Sequence, residues 1–131
     1  MKNPRLKVYY LSSCDTCARI MKEVDVAAYP FELQDIKSEK ITAAQLDEMA
    51  RLAALQNPKI PPYESLFSKI AMKYRSMGLN KMTLSESDYR NYILEEYTFL
   101  KRPVFIIDDT LYIGNAAKTT AAVAAALQNR K

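Results

Sequence analysis

The chain predicts an α/β fold with a mixed sheet, in the order β-α-β, helical segment, β-β-α. Three observations carry this reading. A strand-like run at 6–11, Leu6-Lys7-Val8-Tyr9-Tyr10-Leu11, leads straight into an amphipathic helical pattern. The chain's two cysteines, Cys14 and Cys17, stand three residues apart at that junction. Near the end, a continuous apolar run, Val104-Phe105-Ile106-Ile107, reads as a strand buried on both faces.

The 6–11 run alternates loosely and contains Val and Tyr, as a strand should. A helix is expected over 15–28, with Cys17, Ile20, Val24 and Ala27 on one face and Arg19, Lys22 and Glu23 on others. Residues 31–36 read as a second short strand, with Phe31, Leu33 and Asp35 facing one way. A strand, a helix of this length and a strand make a βαβ unit, so the two strands should be parallel.

The middle changes character. Thr42-Ala43-Ala44-Gln45 can open a helix to about residue 54, because the Thr hydroxyl and the Gln side chain can satisfy free backbone amides. Asn57-Pro58-Lys59-Ile60-Pro61-Pro62 then interrupts, since its prolines lack amide donors and hold the backbone extended. Short helices are expected at 63–69 and 72–77, the latter ended by Gly78, a good left-handed terminator. Ser85-Glu86-Ser87-Asp88 opens another to about residue 97, with Tyr89, Ile93 and Tyr97 on one stripe. The methionines and tyrosines of this region read as core filling. Asp108-Asp109-Thr110 turns the chain after the 104–107 strand, and 111–113 pairs back as an antiparallel hairpin closed by Gly114. An Ala-rich helix over 116–128 finishes the domain, leaving 129–131 to fray. The expected organisation is a single domain, 1–131, with a helical insertion at about 42–98.

At 131 residues, nearly half of them apolar, the chain can bury a core as one domain. No apolar run approaches the roughly 18–20 residues that span a membrane. Met1-Lys2-Asn3-Pro4-Arg5-Leu6 has no hydrophobic signal region behind it, so a reducing cytoplasm is the expected compartment and no membrane partner is expected. There, a close cysteine pair is more often catalytic, redox-sensing or metal-binding than a permanent staple. The net charge of +4 is mild and spread along the chain. Its densest cluster, Lys69, Lys73 and Arg75, reads as a solvated helix face, and no direct nucleic-acid partner is expected. With no histidine, Ser-His and Cys-His catalytic pairs are excluded. Two cysteines alone cannot close a tetrahedral zinc site, so no metal is expected. Two cysteines placed at random over this length would be three apart only about 1–2% of the time, so the spacing itself is informative.

Other landmarks narrow the reading. Ser13-Cys14-Asp15-Thr16-Cys17, Leu66-Phe67-Ser68-Lys69, Met77-Gly78-Leu79 and Arg102-Pro103-Val104-Phe105-Ile106-Ile107-Asp108 follow one another at intervals that resemble the ArsC/Spx family. That family includes glutaredoxin-dependent arsenate reductases and Spx transcriptional regulators on a thioredoxin-like fold. The resemblance spans about 6–127. It implies a reactive cysteine at Cys14, an oxyanion-holding arginine at Arg102, and at Pro103 the proline that thioredoxin folds place in a cis peptide opposite the active site. Ser13, Asp15 and Thr16 would shape the site. Arsenate reductases of this type commonly have serine where this chain has Cys17. Spx-like members have a second cysteine there that forms a disulfide with the first.

Two departures bear on substrate. Arsenate reductases usually carry an arginine at the position of Ser68, and another where this chain reads Ile113-Gly114-Asn115. Arsenate is a dianion best held by several guanidinium forks, and only Arg102 is retained. Lys69 or Arg19 could stand in, although neither matches the family pattern. Ser68 itself reads as a plain helix residue.

At the start of a helix, backbone amides and the dipole favour the Cys14 thiolate, and Arg102 would add to this; Asp15 acts the other way, so a moderate lowering is expected. Cys17 lies one turn on, about 5–6 Å away at Cβ. It can attack a mixed disulfide at Cys14 and leave a Cys14–Cys17 disulfide. The blander alternatives are two small apolar residues near a helix start, a surface salt bridge at Arg102 and a trans proline at Pro103. Three functions stay in view. The first is a thiol–disulfide oxidoreductase with no bound cofactor, drawing electrons from glutathione, glutaredoxin or thioredoxin. The second is an Spx-like redox regulator docking on the RNA polymerase alpha subunit, weakened by the absence of any glycine before Gly78. The third is an arsenate reductase.

Overall fold

The alternation of Leu6 and Val8 with Lys7 and Tyr9 gives strand β1 (Leu6–Tyr10) two different faces, both buried. In the computed structural model, which describes residues 5–130, this strand lies inside a four-stranded mixed sheet of order β2-β1-β3-β4. β2 (Glu32–Asp35) runs parallel to β1, as the βαβ reading requires. β3 (Val104–Ile107) is antiparallel to β1 and forms a hairpin with β4 (Thr110–Ile113). All four residues of β3 are buried, as its unbroken apolar run predicts. The expected α/β, thioredoxin-like architecture is present. Leu6 and Val8 pack with Phe105 and Ile107 against Ile20 of α1 (Asp15–Glu23), Val24 just beyond its end, and Val123 and Leu127 of α6 (Ala117–Gln128).

Two compact units make up the chain. One takes the chain up to Glu39 and again from Arg102, and includes the sheet; the other is Lys40–Lys101. The second holds α2 (Ala43–Gln56), α3 (Pro62–Leu66), α4 (Met72–Ser76) and α5 (Glu86–Glu95). Both expected helix starts here carry reciprocal caps, Thr42 with Gln45 and Ser85 with Asp88. Asp47 of α2 receives the Tyr63 hydroxyl and a two-pronged Arg90 contact at 2.8 and 3.1 Å, so one carboxylate ties three helices. Phe67 stacks on Phe99, with centroids 4.8 Å apart, and meets Tyr74 and Tyr89 edge-on. Gly78 has φ 74°, the left-handed conformation expected of it. Among the described residues, no helix is long and apolar enough to cross a membrane.

Several expectations change. The first helix stops at Glu23 because Asp25 adopts φ 61°, a left-handed geometry aspartate tolerates. A short 3-10 turn, Val26–Ala28, follows, and Val26 rather than Ala27 is buried. In β2, Leu33 is 51% exposed while Gln34 is 1% exposed. Gln34 is drawn inward because its Oε1 accepts from Lys7 Nζ at 2.9 Å and its Nε2 donates to the Glu39 carbonyl at 3.0 Å. The buried Lys7 ammonium also meets Glu32 Oε2 at 2.5 Å and lies over the Tyr9 ring. This contact holds the Glu32 carboxyl below its ordinary value.

Ser68 lies beyond α3 rather than within a helix; it is buried, and its N–H donates to the Phe99 carbonyl at 2.7 Å. Met72, Met77 and Met82 are exposed instead of filling a core, as is Ile70; the aromatic rings fill that role. At the C-terminus, Asn129 and Arg130 are held rather than frayed: their amides bond Ala125 and Leu127 carbonyls, and the Arg130 fork grips Asp108 at 3.2 and 3.3 Å. Lys131 lies outside the described residues.

Phe105 is 1% exposed and meets Phe31 edge-on at 5.9 Å, so its removal opens a cavity at the centre of the sheet core. Phe105→Ala should lower unfolding stability by about 3–5 kcal/mol, read from urea denaturation followed by circular dichroism.

Candidate active site

β1 ends at Tyr10 and the chain turns at once. The turn closes where the Cys14 N–H donates to the Leu11 carbonyl at 3.0 Å. Cys14 is the N-cap of α1, with extended backbone angles of φ −99° and ψ 111°, and its carbonyl accepts from the Ala18 N–H at 3.2 Å. Its sulfur therefore stands at the end of a helix whose first amides have no partner within that helix. Cys14 is partly exposed. Cys17, one turn along, is fully buried.

Arg102 and Pro103 come to the same place by register. Tyr9 pairs with Val104 across antiparallel strands, so the residues just before Val104 lie beside the exit of β1. The Arg102–Pro103 peptide is cis, and the Pro103 carbonyl accepts from the Gly114 N–H at 3.0 Å. Pro103 is buried and Arg102 partly exposed, with its Nε atom inside. The guanidinium acts electrostatically on both thiols.

These surroundings separate the two thiols. Burial opposes ionisation of Cys14, but the Cys17 N–H, the Cys17 thiol, the Thr16 N–H and the Arg102 charge together outweigh it, and its pKa falls below the ordinary 9.0. For Cys17, burial dominates and pushes the pKa up to about 11. The Leu11 backbone and Arg102 offset part of that rise, whereas the neighbouring Cys14 adds to it. One thiol is thus biased toward the nucleophilic form and the other toward the protonated form.

The remaining sequence-derived residues divide. Thr16 contributes its amide to the Cys14 environment. Ser13 and Asp15 are exposed on the rim. Arg19 pairs with Glu23 at 3.6 Å on its own helix, and Lys69 pairs with Glu64 at 2.6 Å. Sequence reasoning missed Asp35 and Ser12. The Asp35 carboxylate accepts from the Ser12 N–H at 3.3 Å and the Lys37 N–H at 3.1 Å. An aspartate bonding the amide two residues on is a local turn motif, and its place at the end of a strand was the available signal.

Comparison with protein-family models matches residues 9–123 to the ArsC family. No curated protein matches. Solved structures share the fold at low identity. An arsenate reductase from Vibrio cholerae superposes with a TM-score of 0.74 at 9% identity, covering 92% of this chain and 98% of that one. An arsenate reductase (ArsC)-related protein from Brucella melitensis gives 0.66 at 20% identity, covering 90% and 92%. A possible arsenate reductase from Streptococcus mutans gives 0.62 at 24% identity, covering 83% and 88%.

The split between the thiols has a sign that alkylation can read. Thiolate reacts and thiol does not, so Cys14 labelling by iodoacetamide should rise with pH and level off at lower pH than a free cysteine of pKa 9.0. In Cys14→Ser, the remaining Cys17 should stay unreactive at pH 8 in the folded protein and become reactive in urea. Equal labelling of both folded thiols would contradict this.

Proposed function

We propose that this chain, which belongs to the ArsC family, is a thiol–disulfide oxidoreductase in which Cys14 attacks and Cys17 resolves. The observation that carries the reading is the placement of two thiols one helical turn apart, Cys14 partly exposed at the N-cap of α1 and Cys17 buried within its first turn. The Cys14 thiolate attacks one sulfur of a disulfide, forms a mixed disulfide and expels the other sulfur as thiolate. Cys14 then no longer bears charge, so one of the influences holding Cys17 protonated disappears. Cys17 loses its proton, attacks the Cys14 sulfur and expels the second substrate thiol. The substrate leaves as two thiols, the chain holds a Cys14–Cys17 disulfide, and a thiol donor such as glutathione, glutaredoxin or thioredoxin restores it. Ser13, Asp15, Thr16 and Pro103 shape the mouth of the site, and Arg102 supports the charge that moves between sulfurs.

Arsenate is the weaker substrate reading, because Arg102 is the one guanidinium that matches the reductase pattern. Cys17 supports a second reading, a redox-sensing regulator whose Cys14–Cys17 disulfide alters binding to an RNA polymerase subunit. One variant distinguishes them. Cys17→Ser should strand the mixed disulfide on Cys14, and mass spectrometry should find glutathione or a thiol redox protein attached. Oxidant-sensitive recovery of polymerase with the wild-type chain would favour the regulator. Failure of the reduced wild-type protein to form an intramolecular disulfide in oxidised glutathione would overturn both.

A further inference from the structure

We propose that Asp35, at the end of β2, is a positioning residue for Cys14: its carboxylate anchors the Ser12–Ser13 turn that aims the thiolate. The inference rests on the oxidoreductase reading and adds a residue from a different strand to its machinery. β1 and β2 are parallel, so their ends emerge at one edge of the sheet. Tyr10 pairs with Asp35 in register, and the Ile36 N–H donates to the Tyr10 carbonyl at 2.9 Å. The strand pairing therefore delivers the Asp35 side chain beside the turn leading to Cys14.

That turn has little else to hold it. Leu11 before it and Cys17 after it are buried, but Ser12 and Ser13 are both exposed, so side-chain packing cannot fix their backbone. The Cys14-to-Leu11 hydrogen bond closes the turn on itself. The Asp35 bond to the Ser12 N–H ties it to the sheet. Asp35 is well braced for this. Its carboxylate also takes the Lys37 N–H, and its own carbonyl accepts from the Glu39 N–H at 2.8 Å and the Ser38 hydroxyl at 3.4 Å. The Ser12 hydroxyl is the foremost influence holding the Asp35 carboxyl below its ordinary value. By contrast, Asp108 gathers Arg5 and Arg130 away from the thiols, and Asp47 ties helices of the other unit.

The thiolate depends on direction. Its stabilisers are the Thr16 and Cys17 amides and the Cys17 thiol on α1, with Arg102 ahead of β3. Asp15 is the adjacent carboxylate, and Asp35 exerts its effect through the turn rather than through its charge. A turn free to swing moves the sulfur off the helix end, whereas an acceptor oxygen at residue 35 keeps it there whether or not it carries charge.

The test compares Asp35→Ala, Asp35→Asn and wild type in the reduced full chain. The readouts are the pH profile of Cys14 alkylation by iodoacetamide and the Cys14–Cys17 equilibrium in a glutathione redox buffer. Asp35→Ala should move the profile to higher pH and slow labelling at pH 7 by about 2–10-fold, the factor one lost hydrogen bond is worth. Asp35→Asn keeps the acceptor and should stay within about twofold of wild type. A superimposable Asp35→Ala profile, or equal losses in both variants, would overturn the proposal. Should Asp35→Ala not fold, Asp35→Leu, which fills similar volume without an acceptor oxygen, takes its place and should shift the profile the same way; an unchanged profile would be equally decisive. The underlying reading fails separately, if the wild-type chain forms no disulfide in that buffer.

Discussion

The placement of β1 between a parallel and an antiparallel neighbour is the constraint on which the site depends. A strand with partners on both sides cannot slip by one residue without turning its buried side chains to the wrong face. Here that register is enforced twice, by Tyr10 opposite Asp35 and by Tyr9 opposite Val104. The parallel partner ends where β1 ends, and the antiparallel partner begins there. Three chain segments distant in sequence therefore converge on one sheet edge without any of them needing a long loop.

Helix geometry then does what burial alone could not. Removing a thiol from water raises its pKa, and both cysteines feel that effect. The two diverge because the unsatisfied amides of a helix lie in its first turn and face outward from its end. Cys14 stands at that end, while Cys17 lies inside the turn that supplies the amides. The three-residue spacing is what lets one short helix treat two identical side chains in opposite ways.

Much of this was legible in the sequence because it rests on short-range chemistry. The capping boxes at Thr42 and Ser85, the glycine at Gly78, the uniformly apolar β3 and the cysteine spacing are each set by a handful of neighbouring residues. The convergence of Arg102 with the thiols followed from the family resemblance, and the strand register accounts for it. What was not legible depended on partners remote in sequence. Gln34 turns inward because Lys7 is there to receive it, so an apolar-inward rule misassigned Leu33. Asp25 ends a helix without the usual glycine, and aspartate is common enough in helices to hide the break. Asp35 looked like one more strand residue until the parallel pairing placed it against Ser12.

Glu32 has a part beyond neutralising a buried lysine. β2 lies at one rim of an open sheet, where unpaired backbone groups invite another chain to add a strand. Leu33, its outward apolar residue, would strengthen such an invitation. It is flanked by Glu32, whose side chain is 71% exposed, and by Gln34, whose side chain is committed inward. An incoming strand would have to desolvate the Glu32 carboxylate or pull it from Lys7, leaving an ammonium buried without its counter-charge. The ion pair thus links the interior of the sheet to its colloidal behaviour, making the rim poorly suited to intermolecular β pairing.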